Sequence, residues 1–150
     1  MPRKLELNAD RLFPAEPGVR EIARELYRAV ASLPIVSPHG HTDASWFALN
    51  EPFGNATELL LQPDHYLFRM LHSQGVPLEA LGIGAPADPR EAWRVFAERY
   101  HLFRGTPSRI WLDWVFAEVF GLDVRLDGET ADLCFDTITA RLERQQFRPR

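Results

Sequence analysis

Apolar residues Val19, Ile22, Ala23, Leu26 and Val30 recur at i, i+3 and i+4, while Arg20, Glu21, Arg24, Glu25 and Arg28 fill most positions between them. That spacing predicts a helix with one buried stripe and one wet side. Ahead of it, residues 5–17 contain Pro14 and Pro17 and no sustained period, so they read as an arm whose Leu12 and Phe13 dock on something larger. Behind it the pattern changes. Ile35 and Val36 form a short β-branched run bracketed by Pro34 and Pro38, too brief for a helix, which predicts a buried strand at about 34–38.

Everything further on reads as helix and loop. Asn55 with Glu58 resembles a capping box, and Pro63 suits the first turn of a helix that runs to about residue 74 before Gly75 breaks it. Asp88-Pro89 and Thr106-Pro107 each place a capping side chain before a proline, predicting helices over about 89–103 and 107–120, the second stopped by Gly121. A last helix, about 129–145, carries Ala131, Phe135, Ile138 and Leu142 on one stripe and cannot pass Pro149. The aromatic residues Trp93, Phe96, Tyr100, Phe103, Trp111, Trp114, Phe116 and Phe120 crowd the two middle helices and are assigned to packing. Trp93, Phe96, Trp111, Trp114 and Phe135 are the expected main core. The fold class is therefore mostly α with a single strand. A buried strand needs ladder partners on both sides, so its partners are expected beyond Arg150 or in another chain, and the sequence looks truncated.

Composition narrows the function classes. With 150 residues, 45% of them hydrophobic, the chain can bury a core without disulfides or structural metal. Its net charge of −4, with Lys and Arg scattered among Asp and Glu, argues against nucleic acid or an anionic membrane as a partner. Cys134 is the single cysteine, in an apolar helical pattern, and reads as a small buried hydrophobe in a reducing compartment. No run of signal-peptide or membrane-spanning length occurs, so a cytoplasmic protein is expected. A Gly-rich phosphate loop, a CxxC pair and a recognisable Ser or Cys nucleophile turn are all missing.

The chemistry concentrates in histidines. His39 and His41 follow the predicted strand at i, i+2, and alternation along an extended backbone turns both imidazoles to one side, where they can share a metal ion. A strand-end turn without a metal is the other reading of the same pair. Gly40 between them allows close backbone approach to a ligand. Asp43 can serve as a further ligand, as an acceptor for an imidazole N–H, or as a helix cap, and the cap is favoured. His65 and Tyr66 fall in the first turn of the Pro63 helix, where unpaired N–H groups and the positive dipole end favour an anionic ligand. His65, Arg69 and His72 share one face at i, i+4, i+7 and either line a polar cleft or form a solvated helix side. His101 is read as an interhelical hydrogen-bonding histidine, outside any ligand set.

Several blocks together resemble the uronate isomerases, also called glucuronate isomerases, of the amidohydrolase superfamily. They are Asp10-Arg11-Leu12-Phe13-Pro14, Leu33-Pro34-Ile35-Val36-Ser37-Pro38-His39-Gly40-His41, Asp64-His65-Tyr66 with Arg69-Met70-Leu71, Gln74-Gly75-Val76, and Gly105-Thr106-Pro107 leading into Trp111. The resemblance implies the N-terminal portion of a distorted (β/α)8 TIM barrel. Residues 1–54 would supply the arm, first helix, first barrel strand and His-x-His turn, and residues 55–150 a helical insertion, with the remaining barrel absent. It further implies aldose–ketose isomerisation of hexuronates, D-glucuronate to D-fructuronate and D-galacturonate to D-tagaturonate, through an enediol. His39 and His41 would be ligands of a divalent metal, zinc being expected, in a site this chain leaves incomplete. His65 and Tyr66 would contact the sugar, with Tyr66 as proton donor or shuttle, and Arg69, on the face it shares with His65, is a further candidate substrate contact. A fragment ending here is expected to be inactive alone, and a full-length protein to associate with copies of itself. Two alternatives compete: a metal-dependent amidohydrolase, and a non-catalytic helical module that binds partners through aromatic residues.

Overall fold

The computed structural model describes residues 2–37 and 39–150. Among the described residues six α-helices carry the fold: α1 (Pro17–Val30), α2 (Ala44–Leu49), α3 (His65–Ser73), α4 (Pro89–Glu98), α5 (Pro107–Trp114) and α6 (Ala131–Leu142). Wide π turns at Thr57–Leu61 and Val115–Val119 and tight 3-10 turns at Leu78–Leu81, Tyr100–Phe103 and Gln145–Phe147 complete it. Among the described residues no helix is long and apolar enough to cross a membrane.

The core is built around α4. Its Trp93 and Phe96 are fully buried, and the helix packs on α6 and on the turns at Thr57–Leu61 and Leu78–Leu81. The Trp93 ring meets Phe96, Phe116 and Phe135 edge-on at centroid separations of 5.3, 6.2 and 6.3 Å, the arrangement that ring quadrupoles favour. Its indole N–H donates to the Ala131 carbonyl at 3.1 Å, fixing α4 to the start of α6. Cys134 lies in the same core, and burial pushes its thiol up to about 11, consistent with its reading as a small hydrophobe.

Local signals placed the helix starts. The Asp88 carboxylate accepts from the N–H groups of Arg90 and Glu91 at 2.8 and 3.1 Å, and Pro89 needs no partner for the N–H it lacks. Asp88→Ala is expected to lower stability by about 1 kcal/mol. The check is a urea midpoint that falls while the slope stays unchanged. Thr106 caps α5 in the same way, accepting from Arg109 N–H at 3.2 Å. Helix ends differ from expectation. The helix predicted to reach residue 103 ends at Glu98 and tightens into Tyr100–Phe103, which turns Tyr100 and Phe103 into the core. The one predicted to reach 120 widens after Trp114 into a π turn, and Gly121, at φ +59°, closes it.

Trp111 and Trp114 correct the expected core: they are 50% and 43% exposed. Leu112, Val115 and Phe116 take the inward side of this segment, and a helix packed on one face leaves the opposite face wet. With Ile110, Pro107, Arg11 and Leu12 the two indoles line an open groove.

The N-terminal third stands apart from this core. Of residues 2–37 and 39–54 only Leu5 is buried, held where its N–H donates to Asp123 O at 2.7 Å and Arg125 N–H donates to Arg3 O at 2.8 Å, around an antiparallel bridge between Lys4 and Val124. The arm therefore docks through Leu5. Leu12 is 69% exposed, and the half-buried Phe13 meets the Tyr27 ring of α1 edge-on at 5.9 Å. Helix α1 forms where predicted, but its stripe is uncovered, with Ile22 60% and Leu26 66% exposed. The predicted strand also lacks its ladder. Residues 34–37 are not paired, Ile35 is 95% exposed, and Pro38 lies outside the described residues. A strand is defined by its neighbours, and among the described residues none lies beside this segment.

Candidate functional site

His39 and His41 converge. Their Nε2 atoms lie 3.1 Å apart and the rings stand nearly perpendicular, with centroids 5.0 Å apart. Extended backbone sends alternate side chains to one side, and the Ser37 hydroxyl braces the turn by donating to the His39 carbonyl at 2.8 Å. Two imidazoles bound at about 2.05 Å to a tetrahedral ion would hold their nitrogens about 3.3 Å apart, so the pair is already close to the separation a shared metal requires. Both rings are exposed, and among the described residues no third His, Cys, Asp or Glu completes a cluster with them. Two nitrogen ligands fit half of a tetrahedral site.

Asp43 is a cap. Its Oδ1 accepts from Ser45 N–H at 2.8 Å at the start of α2, and this bond holds its carboxyl below the usual aspartate range. Around Gly40, its chain neighbours aside, nothing among the described residues lies within 4 Å of a would-be Cβ, so no crowding seen there demands glycine.

His65 and Tyr66 open α3, but the cap is Asp64, with Pro63 left outside the helix. The Asp64 carboxylate accepts from Tyr66 N–H at 2.8 Å and Leu67 N–H at 3.4 Å. The N–H groups expected to be unpaired at this end are thus largely taken, by a group of the same charge as a sugar carboxylate. What remains available is side chain. The His65 and Tyr66 rings lie 4.3 Å apart at 34°, and Tyr66, 67% exposed, borders a hollow of about 500 Å³ with Met70, Phe103, Thr106, Pro107 and Ser108. Arg69 is exposed and makes no ion pair among the described residues. His72 does not join that face as a free group: its Nδ1 lies 3.1 Å from Val76 O, across the turn at Gly75. Among the described residues no hydrogen bond or ring contact joins the His39–His41 pair to the His65–Tyr66 pair. His101 is a further correction, since its Nδ1 bonds Glu98 O at 3.1 Å within its own turn and not between helices.

Sequence reasoning missed one polar network. Tyr100 OH donates to Asp113 Oδ1 at 2.9 Å, Arg109 Nε donates to Asp113 Oδ2 at 2.8 Å, and Arg109 Nη1 donates to Tyr100 O at 3.1 Å. The guanidinium also lies 3.9 Å over the Tyr100 ring. Burial, then the Asp113 charge, raises the Tyr100 phenol far above its ordinary range, so it stays a neutral donor. The Arg109 and Asp113 spacing of i, i+4 was the available signal.

A family model described as glucuronate isomerase matches residues 18–150. The uronate isomerase of Rhizorhabdus wittichii is 72% identical over 146 residues, 97% of this chain and 31% of the relative. That of Sphingopyxis alaskensis is 70% identical, with 100% of this chain and 32% of the relative covered. The crystal structure of glucuronate isomerase from Caulobacter crescentus superposes at a TM-score of 0.94 with 59% identity, over 98% of this chain and 32% of that one. A uronate isomerase structure from Thermotoga maritima gives 0.79 and 27%, covering 91% and 29% of the two chains. The chain spans about a third of the length of the curated relatives it matches, 31% and 32% of the first two.

Proposed function

The chain belongs to the glucuronate isomerase family, and we propose that it contributes to aldose–ketose isomerisation of hexuronates, D-glucuronate to D-fructuronate and D-galacturonate to D-tagaturonate. The observation that carries the reading is the 3.1 Å approach of His39 and His41, which fits a shared divalent ion. Zinc is the metal we assign there, as in the amidohydrolase superfamily. When bound it would act as a Lewis acid on a sugar oxygen. His39 and His41 would hold the ion, and His65 and Arg69 would orient the sugar. Tyr66 would move protons. Isomerisation takes a proton from C2 and returns one to C1, while the proton on O2 leaves and O1 gains one, so a phenol at the sugar can serve either exchange. Segment 34–38 would become the first strand of a TIM barrel once neighbours supply its ladder. The reported relatives are isomerases, which favours this reading over hydrolysis.

The test is a chimera in which this chain replaces the matching third of the Caulobacter crescentus enzyme. It is expected to convert D-glucuronate and to carry a divalent metal. The double variant His39→Ala/His41→Ala is expected to lose the metal, read by elemental analysis, together with turnover. A folded chimera without turnover would sink the functional reading, and a double variant that keeps its metal would remove the histidines from the site.

A further inference from the structure

We propose that a polar cleft of about 380 Å³ between the end of α4, the start of α5 and the 125–127 segment binds a small, multiply charged oxyanion of phosphate size. The cleft shares no lining residue with the His39–His41 turn or with the hollow beside Tyr66. Arg3, Arg104, Arg109 and Arg125 line it, opposed by Glu98, Asp113 and Asp127. A bare count makes it nearly neutral. The bonding does not.

Each carboxylate already has a cationic partner, Asp113 and Asp127 within the cleft and Glu98 outside it. Both oxygens of Asp113 are held, one by Tyr100 OH and one by Arg109 Nε. Asp127 Oδ1 accepts from the N–H groups of Glu129 and Thr130, and its Oδ2 faces Arg3 at 3.6 Å. Glu98 pairs with Arg99, which does not line the cleft. Among the cations, the Arg104 side chain makes no hydrogen bond or ion pair among the described residues, and the Arg125 side chain uses only Nε, on Lys4 O at 3.1 Å. Arg109 is fixed by Asp113, by the Tyr100 carbonyl and by the Tyr100 ring, which leaves its Nη2 without a partner among the described residues. The surplus is therefore two guanidiniums with free forks beside a third that is rigidly aimed. Planar forks of this kind match the oxygens of a tetrahedral oxyanion, and two guanidiniums without an ion pair among the described residues favour a dianion over a single carboxylate, the nearby Glu6 carboxylate being held by Lys4.

Arg3 and Arg125 come from the two segments that the Leu5 and Arg125 backbone bonds join. An anion held between them and Arg104 ties the N-terminal segment to the helical body.

Titration of the 150-residue chain with sodium phosphate and with sodium sulfate, each against sodium chloride at matched ionic strength, tests this by amide NMR. Saturable shifts confined to amides near 98–109 and 124–127, with slowed exchange at the Leu5 amide, are expected. Arg104→Gln and Arg125→Gln should each weaken binding at least about tenfold, the loss of one charged hydrogen-bonding fork. The Arg104 side chain is exposed and bonds nothing else among the described residues, so its loss leaves the fold intact. Arg28→Gln, an exposed arginine on α1, should change nothing. Shifts that chloride reproduces, that scatter over the surface, or that survive both cleft variants would overturn the site.

Discussion

Trp93→Ala is expected to cost about 3–5 kcal/mol of stability, the range for removing a large aromatic from a tight core. Trp93 has no exposed surface, touches three aromatic rings, and supplies the only side-chain hydrogen bond from α4 to the Ala131 carbonyl among the described residues. The variant opens a cavity and removes the indole's bond from α4 to the start of α6. Against a total of about 5–15 kcal/mol for an ordinary domain, this removes a large share of the stability. Urea unfolding followed by far-ultraviolet circular dichroism measures it. Trp93→Phe separates the two terms, because it keeps most of the ring volume and loses chiefly the hydrogen bond, about 1 kcal/mol. Trp111→Ala is the contrast: half exposed, it should cost well under half as much. Equal losses for Trp93 and Trp111 would mean that the described core is wrong.

Tyr66→Phe is expected to reduce turnover on D-glucuronate by about 10²–10⁴-fold in the chimera, the range for a positioned acid–base group. Stability should hardly move, because the residue is 67% exposed and its hydroxyl has no hydrogen bond among the described residues. A packing role predicts the reverse, with turnover near that of the parent and a stability loss of about 1 kcal/mol. Kinetics and thermal melts of that one variant distinguish them. Turnover within about threefold of the parent would exclude the proton shuttle, since positioned acids and bases contribute far more.

Helix starts were legible because their causes are local. Asp88-Pro89 and Thr106-Pro107 contain both the cap and the residue that tolerates the first turn. Pro63 misled by one step: Asp64 offers a carboxylate two and three residues ahead of N–H groups, and that outweighs a proline at the first helical position. Helix ends at 98 and 114 were not legible, because the tightening that buries Tyr100 and the widening that buries Phe116 answer to neighbours distant in sequence. Trp111 and Trp114 show the same limit from another side, since an apolar period does not say which of two apolar faces will be covered. The His39–His41 pair was legible as geometry, because alternation along an extended backbone is intrinsic to the chain. Whether the pair becomes a metal site depends on ligands that spacing alone cannot supply.

The unpaired run Ile35-Val36-Ser37 carries a consequence for how the chain misbehaves in solution. Uncapped β-branched backbone is a template for edge-to-edge pairing with other molecules, so without its flanks this run would invite self-association. Proline on either side acts as a gatekeeper. Pro34 and Pro38 have no N–H, which leaves only the amides of Ile35, Val36 and Ser37 to donate. Alternation sends two of these to one edge and one to the other, too few to hold a stray strand in register against the entropy of ordering it. A legitimate partner escapes that limit by flanking both edges at once and covering the side chains as well. The bracket thus admits a sandwiching neighbour and starves a fibril.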